Sequence, residues 1–138
     1  MAVKSVLMYS QIYFSFLGLL ALYLAYKIVA LRRSEAIGIG DGENTTLARA
    51  IRVHSNFLEY LLPFAILFVI YELAGGNNYL LLTTGLVFCI ARVLHAQGLA
   101  KSAGRSFGRF WGTLLTWLIL LVLAIANLWQ VAVRLWFS

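Results

Sequence analysis

A run of polar and charged side chains interrupts a long apolar segment of the sequence at residues 49–63. On a helix that turns about 100° per residue, six of them fall within an arc of about 100°. These six are Arg49, Arg52, Asn56, Glu59, Tyr60 and Pro63. His54 points roughly 140° away from Arg49. The shared face suits a zwitterionic ligand, because arginine binds carboxylates through paired hydrogen bonds and Glu59 could hold an ammonium group.

A second polar pair, Arg92 and His95, lies in the next apolar segment and shares a helical face with Leu99. A rise of about 1.5 Å per residue puts Glu59 about 20 Å and Arg92 about 21 Å from the far ends of their helices. The two polar stripes are therefore predicted to reach the same depth. Arg92 is either a ligand contact or a structural group paired with a carboxylate of the second helix. His95 is a ligand contact, a proton relay or simply a polar residue near a helix end.

An ionised side chain near the centre of a membrane span costs at least ~2.5–3.5 kcal/mol, and less toward the interface. We therefore expect Glu59 to face protein or a hydrated cleft, with an arginine as its partner. A purely structural network of arginine and glutamate that ties helices together would use the same residues. At this point both interpretations remain open.

Four continuous apolar segments must position these residues, at about 5–31, 45–73, 79–99 and 109–137. Each is near or above the ~20 residues that cross a bilayer as a helix, and the alternation of a β-barrel is absent. The sequence predicts an all-α integral membrane protein, a four-transmembrane-helix bundle that forms a single domain over residues 1–138. Residues 5–26 carry no charge and are expected to be retained as a span rather than cleaved as a signal peptide.

Composition excludes several other classes of protein. With 62% hydrophobic and 12% charged residues, the chain has too little charge to cover the surface of a soluble domain. The net charge of +6 comes from residues scattered between apolar runs, which indicates membrane orientation rather than nucleic-acid binding. Cys89 is the single cysteine, and two histidines without a convergent pair of carboxylates argue against a metal site.

The distribution of lysine and arginine predicts the orientation. Nine of the eleven basic residues flank the first and third loops, and only Lys4 and Arg134 lie at the opposite end. The nine are Lys27, Arg32, Arg33, Arg49, Arg52, Arg92, Lys101, Arg105 and Arg109. By the positive-inside rule these loops are cytosolic, and both termini are expected on the non-cytosolic side.

At the two polar stretches the sequence resembles the MAPEG family, the membrane-associated proteins in eicosanoid and glutathione metabolism. The first match is R-V-H-S-N-F-L-E-Y-L-L-P at residues 52–63, and the second is A-R-V-L-H-A-Q-G-L-A-K-S-A at residues 91–103. The spacing of Arg92 and His95 is similar to that of the bacterial branch of the family. The resemblance covers essentially the whole chain and implies a bacterial inner-membrane protein.

The resemblance implies a homotrimer of four-helix subunits, with glutathione bound between neighbours near the cytosolic face and a lipophilic second substrate arriving from membrane lipid. The residues it implies for glutathione binding are Arg52, His54, Asn56, Glu59, Tyr60, Arg92 and His95. Among these, His54 would reach the pocket of the neighbouring subunit, because it lies on another face of its helix. Glutathione would serve as a co-substrate, and no metal is expected.

The chain also departs from the family pattern. Members that resemble leukotriene C synthase carry tyrosines where this chain has His95 and Leu99. Their thiol-activating arginine lies near the start of the fourth helix, where a gapless match gives Ser106. Arg105 is adjacent and Arg109 lies within one turn. We favour Arg105, because a cation near the sulfur favours the reactive thiolate.

Three functions are weighed at this point. The first is a membrane glutathione transferase or peroxidase that acts on lipophilic electrophiles. The second is a non-catalytic lipid-binding or scaffolding member of the same family, which the missing tyrosines favour. The third is a small four-helix transporter. Such exporters usually rely on a carboxylate in the first helix, and residues 5–26 contain none.

Overall fold

The computed structural model describes residues 7–102 and 104–137, with side chains to residue 136. Four helices make up most of this part of the chain: α1 (Met8–Ser34), α2 (Thr45–Leu73), α3 (Asn78–Lys101) and α4 (Phe107–Phe137). All four are long and apolar enough to cross a membrane, which confirms the predicted all-α, four-helix membrane fold. Lys4, Ser5 and Ala103, which the sequence arguments used, lie outside the described residues.

Asparagine side chains begin two of the helices. The Asn44 side-chain oxygen accepts the backbone N–H groups of the second and third residues of α2, both at 3.0 Å. Asn77 does the same for α3, at 2.9 and 3.2 Å. These contacts satisfy N–H groups that have no acceptor within the helix. The turn between α2 and α3 contains Gly75 at a positive φ of 77°, a conformation that favours glycine.

The helices extend beyond the apolar runs at the charged ends. α1 ends at Ser34 rather than near residue 31, because Arg32 and Arg33 are good helix formers and their charges are favourable at a helix C-terminus. α4 begins at Phe107, since the Ser106 hydroxyl accepts the backbone N–H of Arg109 at 3.3 Å and caps its first turn. The hydropathy pattern therefore predicted an end of α1 and a start of α4 that lie two or three residues inside the observed helices.

The helices α2 and α3 form the centre of the bundle, with α1 packed on one side of them and α4 on the other. Within the described residues no Cα atom of α1 lies within 8 Å of a Cα atom of α4. Glycines bring α3 and α4 together. A Cβ on Gly112 would lie 2.6 Å from the Cβ of His95, and one on Gly108 would lie 2.5 Å from the carbonyl oxygen of Leu94. This close approach places the start of α4 beside His95.

Aromatic side chains fill the middle of the bundle. Phe64 of α2 stacks on Phe88 of α3 with ring centroids 3.7 Å apart, and both side chains are fully buried. Phe68 packs beside Phe64, and the ring of Tyr13 from α1 makes a T-shaped contact with Phe68, with ring centroids 5.9 Å apart. Pro63 lies within α2 directly before this cluster, and the helix continues through it. The cluster joins α1, α2 and α3. It follows the polar stripe along α2 and precedes Arg92 along α3.

The two ends of the bundle differ in character. We call the end where the α1–α2 and α3–α4 loops lie the basic end, because nine of the eleven basic residues of the chain flank those loops. At the opposite end, the carboxylate of Glu72 accepts the backbone N–H groups of Tyr9 and Ser10 at 2.8 and 2.9 Å. It also accepts the Ser10 hydroxyl at 2.5 Å. A carboxylate from α2 thereby caps the N-terminus of α1, where the helix dipole favours negative charge.

Candidate functional site

The polar stripe of α2 divides into an outward and an inward part. Arg52 and Glu59 form an ion pair with 2.9 Å between Nη1 and Oε1, and their side chains are 58% and 50% exposed. This confirms the expectation that Glu59 has an arginine partner. Neighbouring side chains do not enclose the pair, and it lines neither of the two cavities described below. Both charges therefore keep part of their hydrogen-bonding capacity.

Asn56 and Tyr60 form the inward part, and both contact Arg92 of α3. Arg92 has no exposed surface, and its Nη2 donates to the Asn56 side-chain oxygen at 2.7 Å. The guanidinium carbon lies 5.2 Å from the centroid of the Tyr60 ring, a cation–π distance. Its Nη1 donates to the Thr116 hydroxyl of α4 at 3.4 Å. Arg92 thus joins three helices at the level of the stripe.

The hydrogen-bond partners of Arg92 differ from those expected of a structural ion pair. The sequence left open a pairing with a carboxylate of α2, but the nearest acceptor is the amide of Asn56, whereas Glu59 pairs with Arg52. Within the described residues, Nε of Arg92 is buried without a hydrogen-bond partner. A buried cation whose hydrogen-bond partners are neutral stabilises an anion that binds beside it.

His95 connects this network to a cavity of about 760 Å³ at the start of α4, which we call the α4 cavity. His95 is almost fully buried, and its Nδ1 lies 3.5 Å from Nη2 of Arg92. The other lining residues come from the α3–α4 loop and the first turns of α4. They are Gly104, Arg105, Ser106, Arg109, Phe110, Thr113, Leu114 and Trp117. The cavity combines cations and hydroxyls with an apolar, aromatic wall.

Trp117 links the α4 cavity to the polar stripe of α2. Its indole N–H donates to the Tyr60 hydroxyl at 2.9 Å, and the Tyr60 ring lies against Arg92. Residues from three helices therefore form a continuous chain of contacts from the cavity wall to Asn56. The two motifs that lie far apart in the sequence converge in space on this one region.

The three candidates for thiol activation all line the α4 cavity, but their side chains differ in their contacts. Ser106 caps α4, as described above. The Arg109 side chain donates to the carbonyl oxygen of Gly104 at 2.5 Å and so helps to hold the loop. Arg105 is exposed. All three candidates therefore lie at one site, and a comparison of variants at these positions would identify the residue that activates the thiol.

Two positions discussed in the sequence lie elsewhere. His54 is half-buried on another face of α2 and lines neither of the two cavities. Leu99 is a buried core residue and supplies no polar group. Three residues of α4 that were not predicted from the sequence also belong to this region, namely Thr113, Thr116 and Trp117. Their spacing of three and four residues within an apolar run was the available signal, because such residues share one face of a helix.

Comparison with known proteins provides independent information. Residues 10–129 match the MAPEG family, and this range contains both polar motifs and the lining of the α4 cavity. The inner membrane protein YecN of Escherichia coli (strain K12) is 33% identical over 132 residues, which cover 95% of this chain and 98% of that protein. The inner membrane protein YecN of Escherichia coli O6:H1 (strain CFT073) has the same identity and coverage.

Proposed function

Because the chain belongs to the MAPEG family, we propose that it binds glutathione at the basic end and transfers it to lipophilic electrophiles. The observation that carries this proposal is the convergence of α2, α3 and α4 on the α4 cavity, next to the exposed pair of Arg52 and Glu59 on α2. Glutathione carries two carboxylates, an ammonium group and a thiol. The region offers complementary groups for each of them.

The exposed ion pair suits the zwitterionic end of glutathione. In the structure Arg52 and Glu59 bind each other, and an exposed pair of this kind contributes only about 0–1 kcal/mol to stability. A ligand with its own carboxylate and ammonium can exchange with the pair, with the carboxylate on Arg52 and the ammonium on Glu59. Little protein–protein interaction energy is lost in that exchange.

A second copy of the chain is the proposed cover for this face. A half-exposed ion pair within a spanning helix is costly against acyl chains, so it requires water or protein beside it. The homotrimer implied by the family resemblance supplies such a neighbour and turns the exposed face into a cleft between subunits. His54, on another face of α2, would then contribute to the cleft of an adjacent subunit.

The α4 cavity is the proposed place of the thiol chemistry. The positive charge of Arg105 favours the thiolate, which attacks the electrophile. The alternatives are the positive charge of Arg109 and a hydrogen bond donated by the Ser106 hydroxyl. With a chlorinated nitrobenzene, a carbon–sulfur bond forms, the carbon–chlorine bond breaks, chloride leaves and the thiol proton passes to water. With a lipid hydroperoxide, two glutathione molecules supply the electrons and become the disulfide, and the products are an alcohol and water. Phe110, Leu114 and Trp117 provide the apolar wall for such substrates.

The proposed orientation agrees with this chemistry. The concentration of basic residues favours placing the basic end in the cytosol with both termini on the other side. Glutathione is abundant in the cytosol and would enter from there. The second substrate would enter from the bilayer, which accounts for a site that lies between the aqueous interface and the apolar core.

The test uses the full chain purified in detergent. Glutathione at millimolar concentration should bind with thiolate absorbance in the ultraviolet and should be conjugated to 1-chloro-2,4-dinitrobenzene. Arg52→Gln or Glu59→Gln should weaken binding at least tenfold, whereas Arg33→Gln, an exposed arginine at the same end of the bundle, should not. An absence of binding at millimolar glutathione would reject the proposal.

A second candidate function has one observation in its favour. His95 and Leu99 are buried where members that resemble leukotriene C synthase carry tyrosines, so this region has fewer hydroxyls than they have. A lipid-binding or scaffolding protein of the same fold would retain the ligand contacts without turnover. Glutathione binding that is not accompanied by conjugation or peroxide reduction would favour this candidate.

A further inference from the structure

A second cavity, of about 830 Å³, lies at the basic end between α1, α2 and α3, and we call it the α1 cavity. Leu20, Leu24 and Val53 line its inner part, and its cationic groups are Lys27 and Arg49. Its other polar groups are neutral, namely the amide of Gln97 and the hydroxyls of Tyr23, Tyr26, Ser34 and Thr46. None of the residues proposed above for glutathione lines it. Its volume is in the range of ligand sites in proteins. It therefore requires an explanation of its own.

Two cations of this lining lack a compensating carboxylate. Lys27 is exposed, and its Nζ lies 5.7 Å from the ring centroid of Tyr23. Arg49 is half-buried. Across residues 7–102 and 104–136, no hydrogen bond or ion pair is formed by either of these charged groups, and no aspartate or glutamate lines the cavity. The lining is therefore complementary to an anion.

The cationic and apolar parts lie at different depths. Leu20 precedes Lys27 by seven residues along α1, which is about 10 Å of helix. Val53 follows Arg49 by four residues along α2, which is about 6 Å. Both steps lead away from the helix ends of the basic end and into the spanning segment. A ligand that fits both parts has a negatively charged head and an apolar tail.

We propose that the α1 cavity binds an anionic phospholipid. Its headgroup phosphate lies between Lys27 and Arg49, and one acyl chain extends along Leu20, Leu24 and Val53. The surrounding bilayer supplies such molecules, and basic pockets between transmembrane helices are suited to anionic headgroups. Burial of the acyl chain adds apolar contact that a free phosphate compound does not provide.

This proposal goes beyond the glutathione chemistry, because the two cavities lie on different sides of the bundle. The α1 cavity uses α1, α2 and α3, whereas the α4 cavity is formed by α3, α4 and their loop, and the two linings share no residue. The lipid is therefore a separate ligand and not the electrophilic substrate. It binds whether or not the protein conjugates glutathione.

The first test compares lipids on the unaltered protein. The full chain is purified in detergent and titrated with dioleoyl phosphatidylglycerol or dioleoyl phosphatidylcholine, and bound lipid is counted by native mass spectrometry. Phosphatidylglycerol should bind at least tenfold more tightly, and the preference should decrease as salt is raised. Equal binding of the two lipids would overturn the proposal without the use of any variant.

The second test locates the lipid. The double variant Lys27→Gln, Arg49→Gln should weaken binding of phosphatidylglycerol at least tenfold. The matched control Arg33→Gln, Lys101→Gln removes the same charge from exposed positions at the same end, outside the cavity, and should bind as the unaltered chain does. An equal loss in the control would assign binding to the general positive field and would overturn the proposal.

The third test separates a lipid from a free phosphate compound and from a protein neighbour. Ala30→Phe adds bulk to the cavity lining without a change of charge and should reduce phosphatidylglycerol binding. Glycerol 3-phosphate, which has the phosphate and no acyl chain, should not compete at the same concentration. Competition by glycerol 3-phosphate, or a second copy cross-linked through a cysteine at position 30 in place of lipid, would overturn the proposal.

Discussion

Two glutamates on α2, Glu59 and Glu72, are the same residue type on the same helix and have opposite surroundings. Glu72 accepts three hydrogen bonds from the first turn of α1, two from backbone N–H groups and one from the Ser10 hydroxyl. Glu59 has one hydrogen-bonded partner in the described structure, Arg52, and both side chains are at least half exposed. The Glu72 carboxylate is occupied on both oxygens by α1, whereas the Glu59 carboxylate retains capacity for further hydrogen bonds.

The difference separates a carboxylate that the fold uses, Glu72, from one that remains available and that we propose binds a ligand, Glu59. A carboxylate that satisfies buried donors contributes to stability, because its removal leaves those donors without an acceptor. An exposed pair within a spanning segment contributes little to stability and remains available to a ligand or to a second subunit. We therefore expect substitutions of the two glutamates to have different consequences, and the first of four predictions tests this directly.

The largest effect is expected at Glu72. Glu72→Ala removes the acceptor for two N–H groups and one hydroxyl at the start of α1 and should lower the free energy of unfolding by about 3 kcal/mol. The matched variant Glu59→Ala should lower it by no more than about 1 kcal/mol. Unfolding in mixed detergent micelles measures both values. Equal losses at the two positions would remove the distinction between the two carboxylates.

A smaller effect is expected at Asn56, which both stabilises the fold through Arg92 and is proposed to bind the ligand. Asn56→Ala removes the shortest hydrogen bond of the buried Arg92 and should lower the free energy of unfolding by about 2 kcal/mol. Because Asn56 is also proposed to contact glutathione, binding should weaken in the folded fraction. Calorimetric titration with glutathione, corrected for the folded fraction, measures this. Ser55→Ala, the neighbouring position outside the Arg92 network, serves as control, and an equal effect there would contradict the prediction.

Arg105 should affect reactivity with little effect on folding. Arg105→Gln removes a positive charge from the α4 cavity and should reduce the thiolate of bound glutathione about tenfold at neutral pH. The ultraviolet absorbance of the thiolate, measured at saturating glutathione, checks this. Arg109→Gln and Ser106→Ala are the comparison variants. A larger loss of thiolate absorbance in either variant would assign thiol activation to that residue instead of Arg105.

The smallest effect is expected at Trp117. Trp117→Phe keeps the aromatic wall of the α4 cavity and removes the hydrogen bond to the Tyr60 hydroxyl, at a cost of about 1 kcal/mol in stability. Tyr60→Phe removes the same bond from the other side. If the bond is their main coupling, the double variant should cost no more than either single variant. Full additivity in this double-mutant cycle would contradict the contact.

The fold was predictable because each of its elements has a strong local signal. Four continuous apolar runs require four helices, since no other structure satisfies the backbone within lipid. The ends were less accurate, because Arg32 and Arg33 continue α1 beyond its apolar run. Hydropathy describes where a helix crosses the membrane, whereas capping and charge determine where it ends.

The candidate site was predictable only in part. The angular spacing of Arg52, Asn56 and Glu59 placed them on one face, but it could not divide that face into an inward and an outward half. That division depends on where α3 brings Arg92, which is a tertiary contact. The contribution of Trp117 was missed for a similar reason. It lies in a long apolar helix, and its partner Tyr60 is 57 residues away in the sequence.

Pro63 has a further consequence for the turn that carries Glu59. Proline has no backbone N–H, so the main-chain carbonyl of Glu59, four residues earlier, lacks its usual helical donor. The turn that carries the Glu59 carboxylate therefore also carries a main-chain carbonyl without its donor four residues later. It has one hydrogen bond fewer than its neighbours to resist local bending. A substitution of the Glu59 side chain leaves this carbonyl in place, so the turn keeps one acceptor for the ammonium group that we propose it binds.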